Sequence, residues 1–205
     1  MDIWMKTLNK EFWEQKYGKG DTGWDIGCIS TPLKEYIDQL TDKDLKILIP
    51  GAGNAYELLY LVEKGFHNVF VIDIARQPLD RIKKRMPDFP GHQILEGNFF
   101  DLTLNNFDLI LEQTFFCALN PGLRPMYVKK MKQLLKPNGK LAGLLFNFPL
   151  TESGPPFGGS VTEYKSLFKA HFKIKILETA RNSIKPRADK ELFFIFESKK
   201  NDYVQ

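Results

Sequence analysis

Gly51 and Gly53, in the run IPGAGNAYE at residues 49–57, and Asp73, twenty positions beyond the second glycine, are the residues whose types and spacing best fit ligand chemistry. Glycines spaced this way let the backbone turn tightly and come close to a ligand, and the start of a following helix offers N–H groups without helical partners. A carboxylate at the end of the next strand can accept both hydroxyls of a ribose, each charge-assisted bond contributing about 1.5–3 kcal/mol. Asp73 can also cap a helix, and the two roles are compatible. Further on, Asn98 and Phe99 in GNFF could cover a base, the amide on its edge and the ring on its face.

The spacing also separates cofactor classes. A dinucleotide fingerprint needs a third glycine at the sixth position, where this chain has Tyr56. A bulky ring there obstructs the close packing that a pyrophosphate requires. No G-x-x-x-x-G-K-[ST] occurs, which argues against a phosphate-binding nucleotide loop. A nucleoside cofactor without phosphates, S-adenosylmethionine (SAM), fits the pattern best. His67, His92 and His171 lie outside every motif, and neither HExxH nor C-x-x-C is present, so no metal and no dedicated catalytic base are expected. Cys117 is expected to be a packed thiol.

These residues need a frame to hold them, and the hydrophobic pattern supplies one. Strands are expected over 45–49, 69–73, near 93–96, over 107–112 and over 140–146, alternating with helical stretches, as in βαβ sheets. After the first strand, Asn54 and Glu57 have the spacing of a capping box, and Gly65 suits a helix C-terminus. Pro78 can open the next helix and Pro87 ends it. Tyr127, Val128, Met131, Leu134 and Leu135 form one stripe, with lysines opposite, and Pro137-Asn138-Gly139 is a turn before the fifth strand. Two last strands, 172–177 and 192–196, lack a helical pattern between them and should pair antiparallel. The expected result is a single α/β domain with a seven-stranded, Rossmann-like, mostly parallel sheet ending in a β-hairpin. Residues 1–44 would form an aromatic-rich helical lid and 45–205 the core. In such sheets ligands sit beyond the carboxyl ends of the strands, so residues 112–116 should face the cleft.

Composition is compatible with this frame. With 43% hydrophobic and 26% charged residues in 205, the chain can bury one sizeable core. No apolar run approaches the roughly 18 residues of a membrane helix, and residues 1–13 have no signal-peptide pattern, so a cytoplasmic protein is expected. The net charge of +4 raises the question of nucleic acid, but Lys83-Lys84-Arg85 and Lys129-Lys130 fall on the polar faces of amphipathic helices. The partner expected is a small-molecule methyl acceptor, with no nucleic acid, no membrane and a monomeric chain.

The segments FWEQKYGKGDTGWDIGCISTP, ILIPGAGNAYE, VFVIDIA, GNFF, EQTFFCALNPGLRPMY, LLKPNGKL, GPPF and NSIKPR, in this order, resemble the thiopurine S-methyltransferase superfamily, most closely its thiol and halide methyltransferase branch. The resemblance implies a class I SAM-dependent methyltransferase with an N-terminal segment folded over the cofactor. It carries cofactor contacts to Trp13, Tyr17 and Trp24, to Gly51, Ala52, Gly53, Asp73 and Ile74, and to Asn98, Phe99 and Gln113. Asn98 stands where many relatives have aspartate, and Gln113 where thiopurine enzymes have arginine, which weakens a thiopurine assignment.

Methyl transfer from a sulfonium is an in-line displacement that rests on positioning and on exclusion of water. A thiol acceptor needs no strong base. The acceptor pocket is expected under Trp24, Phe115, Phe116 and Phe157 of the GPPF loop, with Arg124 either orienting an anionic acceptor or anchoring its own helix. A thiol is the preferred acceptor. Halides, thiopurines, metalloids and O- or N-acceptors, or a non-catalytic SAM-binding role, are the alternatives. An amino-methyltransferase of nucleic acids would carry N/D-P-P-Y/F after the fourth strand, where this chain has Glu112-Gln113-Thr114-Phe115.

Overall fold

The structure, a computed structural model, describes residues 8–200, so residues 1–7 of the expected lid and 201–205 of the expected core lie outside it. Seven strands make one mostly parallel sheet. The chain divides into two compact units, up to Thr103 and from Leu104 onward.

In the first unit the order along the sheet is β3-β2-β1, all parallel, with β1 Ile47–Pro50, β2 Val69–Asp73 and β3 Ile94–Glu96. Every residue of β1 and β2 is buried, which is why both read as unbroken apolar runs rather than alternating ones. Helix α3, Tyr56–Glu63, leaves the loop after β1, and α4, Arg76–Arg85, follows β2. Helix α4 buries Pro78, Leu79 and Ile82 and ends before Pro87. Pro78 sits in the first turn, where an N–H has no helical acceptor, so its ring costs no hydrogen bond. Among the described residues two helices precede the sheet: α1, Lys10–Gly18, and α2, Thr31–Asp38.

The expected capping box at Asn54 does not form. The residue that enters α3 is Ala55, in the left-handed region at φ 53°, and no side chain caps the helix. The Asn54 amide instead donates to Asp25 Oδ2 at 2.5 Å. Gly65 does close this helix with φ +86°, its N–H bonded to the Val62 carbonyl.

In the second unit the order is β4-β5-β7-β6: β4 Phe107–Gln113, β5 Leu135–Phe146, β7 Glu191–Ser198 and β6 Phe172–Thr179. Strands β4 and β5 are parallel, and β7 runs antiparallel to both β5 and β6, giving the C-terminal hairpin. Helix α5, Arg124–Leu134, buries Tyr127, Val128, Met131 and Leu134, the stripe read from the sequence. Pro137-Asn138-Gly139 is not a turn ahead of a strand. It is a bulge inside β5, where the register jumps from Phe107↔Leu135 to Leu109↔Lys140 and Asn138 takes φ 64°. A Cβ at Gly139 would stand 2.9 Å from the Phe107 carbonyl, so only glycine lets β4 and β5 close up there.

Helix α6, Val161–Phe168, was not expected, although Ser160 and Glu163 spell the first half of a capping box: the Ser160 hydroxyl accepts from the Glu163 N–H. The core of this unit is aromatic, with Phe116, Tyr127, Tyr164, Phe168, Phe172, Phe194 and Phe196 all buried.

Candidate active site

The carboxyl ends of three parallel strands in the first unit put Pro50, Asp73 and Glu96 on one edge, and the register aligns Asp73 with Glu96 directly. From β1 the chain passes through Gly51 at φ 63° and Gly53 at φ 52°, a conformation that glycine adopts without steric cost. The Gly51 and Ala52 N–H groups both return to the Ile72 carbonyl, at 2.8 and 3.2 Å, which folds the loop back over the end of β2.

Asp73 is buried in this bend. Its Oδ2 accepts from the Gly53 N–H at 3.1 Å and its Oδ1 from the Ala75 N–H at 2.9 Å, so the carboxylate fixes the glycine loop and the start of α4 together. Burial pushes its pKa up from 3.8 to about 6, against the pull of the backbone N–H groups of Ala75, Gly53 and Ile74. Expected as a possible helix cap, it performs that service for Ala75 while Ala75 itself is the N-cap residue of α4.

Three aromatic residues of the N-terminal segment, Trp13, Tyr17 and Trp24, come together. Trp24 packs edge-on against Trp13 at 5.5 Å and against Tyr17 at 5.6 Å between ring centroids. Tyr17 is buried, and a Cβ built on Gly53 would lie 3.6 Å from its hydroxyl, so a larger residue at 53 would fill the space between the glycine loop and Tyr17. Burial, then the charge of Asp73, holds the Tyr17 hydroxyl protonated far above the usual tyrosine range. Helix α1 is fastened by polar bonds: the Arg76 N–H donates to Glu14 Oε1 at 2.7 Å, Arg81 Nη2 to the Tyr17 carbonyl at 3.5 Å, and Lys10 pairs with Glu96 at 2.5 Å. Asp25 ties the segment after Trp24 to the glycine loop through Asn54. Neither Asp25 nor Glu14 was singled out from sequence.

After β3, Phe99 is buried, with its ring against Phe100. Asn98 is exposed, and its amide serves the following 3-10 turn: Oδ1 accepts from the Phe100 N–H at 3.1 Å and Nδ2 donates to Asp101 Oδ2 at 3.2 Å. Ile74 is half-buried directly after Asp73.

This set fits an adenosine-bearing cofactor. The carboxylate keeps accepting capacity beyond its backbone bonds, the positive-φ loop presents backbone rather than side chains, and aromatic faces lie beside both.

In the second unit Gln113 ends β4, half-buried. Glu112 does not face a cleft as expected of residues 112–116. It is wholly buried, Oε1 accepting from the Phe115 and Phe116 N–H groups at 2.8 and 2.9 Å and Oε2 from the Tyr127 hydroxyl at 2.5 Å. Burial raises its pKa from 4.5 to about 7. A Cβ at Gly143 would meet the Glu112 carbonyl at 2.1 Å, so the register partner of Glu112 has to be glycine. Thr114, between the strand and the anchored N–H groups, is held at φ 58°. For a β-branched residue this costs on the order of 1–3 kcal/mol, strain of the kind found at functional loops.

Phe116 is core, packed on Tyr127, Tyr164 and Phe168, whereas Phe115 is half-buried. Phe157 is buried, and its N–H bonds the Cys117 carbonyl at 2.8 Å, which joins the GPPF loop to the loop after β4. Arg124 is 1% exposed. Its Nη1 pairs with Glu163 at 2.5 Å, its Nη2 donates to the Gly158 carbonyl at 2.7 Å, and its guanidinium lies 4.8 Å over the Phe116 ring. Of the two roles open to it, the anchoring one is realised here, and it holds the GPPF loop. Cys117 is a buried thiol, its pKa driven well above the thiol range. A small pocket is lined by Thr114, Cys117, Leu144, Leu145, Phe146 and Glu191.

Known proteins resemble this chain along nearly its full length. The family model described as Thiopurine S-methyltransferase matches residues 8–203. "Probable thiol methyltransferase 2" of Arabidopsis thaliana is 32% identical over 159 residues, covering 76% of this chain and 70% of the relative. "Thiocyanate methyltransferase 1" of Brassica oleracea is 30% identical over 192 residues, covering 91% and 84%. The fold is that of the Burkholderia thailandensis 1,6-didemethyltoxoflavin-N1-methyltransferase, solved with bound 1,6-didemethyltoxoflavin and S-adenosylhomocysteine: TM-score 0.78 at 17% identity, covering 98% of this chain and 92% of that one. The chain belongs to the thiopurine S-methyltransferase family of class I SAM-dependent methyltransferases.

Proposed function

We propose that this chain methylates the sulfur of a small thiol, using SAM, and that Asp73 is the residue on which cofactor binding turns. The observation carrying this reading is the buried Asp73 carboxylate bonded to the Gly53 N–H at the carboxyl edge of β2. Trp13, Tyr17 and Trp24 would cover the cofactor. Gly51, Ala52, Gly53 and Ile74 would border it, Asp73 would take the ribose hydroxyls, and Asn98, Phe99 and Gln113 would border the rest.

Bound there, SAM supplies an electrophilic methyl group on a sulfonium. The chain's own task is to place the acceptor sulfur in line with that methyl and to keep water out. Phe115 and Phe157 give the acceptor an apolar surround, while Phe116 and Arg124 act from behind as the packing that fixes Phe115 and the GPPF loop. The acceptor would enter as the thiolate, its proton already given up to bulk water, and the bound cofactor would supply the methyl group to that sulfur and leave as S-adenosylhomocysteine. No side chain is required as base, because a free thiol near pKa 8.5 is already partly ionised.

The same reading has one catalytic domain with residues 1–44 as its lid, acting as a cytoplasmic monomer on a small molecule without nucleic acid. Among the described residues no helix is long and apolar enough to cross a membrane. The relatives' names include thiol and thiocyanate acceptors, so the test is a panel of alkyl thiols, hydrosulfide, thiocyanate, iodide and a thiopurine, read as S-adenosylhomocysteine released. Turnover fastest with thiols is the expected result. Fastest turnover with iodide or the thiopurine would reject the thiol assignment.

A further inference from the structure

Two charged side chains of the first unit grip the residues that lead from the glycine loop into α3: Asn54, Ala55 and Tyr56. Ala55 stands at φ 53° and ψ 42°, a left-handed backbone that a residue with a Cβ keeps only where its surroundings hold it. Its two neighbours are what is held. The Asn54 amide donates to Asp25 Oδ2 at 2.5 Å, and the Asn54 carbonyl accepts from Arg85 Nη1 at 3.2 Å. Burial, then a hydrogen bond to Asp25, raises the Tyr56 hydroxyl above the ordinary tyrosine pKa, and the Arg85 guanidinium lies 5.9 Å over the Tyr56 ring. Asp25 is itself fixed, its Oδ1 accepting from the Gly27 N–H at 2.8 Å and its own N–H donating to the Thr22 carbonyl at 2.8 Å. Next to it in the chain, Trp24 packs on Tyr17, whose hydroxyl lies beside Gly53. One carboxylate therefore ties the Trp24 segment to the glycine loop.

We infer that Asp25 is a positioning residue for the cofactor: through Asn54 it latches the Trp24 segment onto the glycine loop and sets how slowly cofactor and product leave. This rests on the cofactor site proposed above. Asp25 acts on the reaction only through Asn54 and the loop. A ligand that leaves the glycine loop past Trp24 needs that segment to part from the loop, and the charge-assisted bond of Asp25 to Asn54 is then among the contacts that break. A contact of this kind slows dissociation and leaves association almost untouched. The strain at Ala55 works in the same direction, because backbone freed from its clamp relaxes and the loop loses its shape.

The experiment measures association and dissociation of S-adenosylhomocysteine on the immobilised full chain by surface plasmon resonance, with melting temperatures read without ligand. Asn54→Ala removes the donor and should speed dissociation about tenfold, with association nearly unchanged. Asn54→Asp sets two carboxylates face to face and should speed it further. Combining Asp25→Asn with Asn54→Asp rebuilds the bond with donor and acceptor exchanged, and should bring the off-rate back toward that of the wild type. A lower melting temperature with a wild-type off-rate in Asn54→Ala would mean that the bond is structural only and overturns the latch. So does a double variant that releases ligand as fast as Asn54→Asp alone. Asp73→Asn, measured alongside, keeps the two readings apart. Undiminished binding there rejects the cofactor site itself, whereas weakened binding there with an unchanged off-rate in Asn54→Ala rejects the latch alone.

Discussion

Replacing Asp73 by Asn separates the cofactor function of this residue from its structural one. The side chain keeps its size, but one carboxylate oxygen becomes an NH2 facing a backbone N–H, of either Gly53 or Ala75, and that bond is lost. The loss costs about 1–3 kcal/mol. Against it stands relief of a buried charge: burial moves Asp73 from 3.8 to about 6, which at neutral pH amounts to roughly 3 kcal/mol against the ionised form. The two terms nearly offset, so the melting temperature of the unliganded protein should change little. Binding has no such offset. One charge-assisted bond to the ribose disappears and the other becomes neutral, a loss of about 3 kcal/mol, or roughly a hundredfold in Kd. Calorimetric titration with SAM near neutral pH, alongside thermal unfolding without ligand, reads both quantities. In the wild type alone, SAM affinity should also weaken as pH falls below about 6, by up to about tenfold per pH unit, as the carboxylate takes up a proton. Unchanged SAM affinity in the Asn variant would falsify the ribose assignment. Weakened affinity accompanied by a collapse in melting temperature would mean that the residue acts only by holding the loop.

Other predictions follow from the same geometry. Glu112 binds its proton more tightly folded than unfolded, with pKa about 7 against 4.5. Its contribution is therefore full below the unfolded value and lost as pH rises through about 7, so the protein should melt lower near pH 8 than near pH 5, by roughly 3 kcal/mol from this group. Glu112→Gln, which can bond the same partners, should flatten that dependence, and an equally steep profile in the variant would reject the assignment. Thr114→Gly relieves a left-handed backbone and should raise stability by about 1 kcal/mol while lowering kcat through a looser loop; a drop in melting temperature would show that the conformation is not strained. Trp13 and Trp24 should change fluorescence, and residues 10–30 slow their hydrogen exchange, when SAM binds. Silence in both signals would remove the lid role.

What could be read from sequence was what depends on short spacing. Val69–Asp73 is an unbroken apolar run ending in an acid, and it forms the strand that run suggests. The interval between Gly53 and Asp73 placed an N–H and a carboxylate together because one parallel strand follows another at fixed length. The entry to α3 was misread because Ala55 takes a left-handed conformation, which alanine rarely adopts, and so Asn54 is displaced from the capping position toward Asp25. Pro137-Asn138-Gly139 has the composition of a turn, but the pairing of Leu135 with Phe107 ahead of it absorbs it into β5 as a bulge. Arg124 and Glu163 lie 39 positions apart, and nothing local announces such a pair. Glu112 is expected in the cleft because ligands in open α/β sheets sit beyond the carboxyl ends of the strands. Only the position of Tyr127 on α5 shows that it turns inward.

The most direct measurement for the whole account follows a single methyl group. The protein is incubated with SAM carrying a deuterated methyl and with 1-propanethiol, and the products are analysed by mass spectrometry. Deuterated methyl propyl sulfide should form in step with S-adenosylhomocysteine, and the signal should be lost in Asp73→Asn at SAM concentrations that saturate the wild type but not the variant. S-adenosylhomocysteine without labelled sulfide, or no turnover by a protein that binds SAM tightly, would contradict the claim that this chain is a thiol methyltransferase.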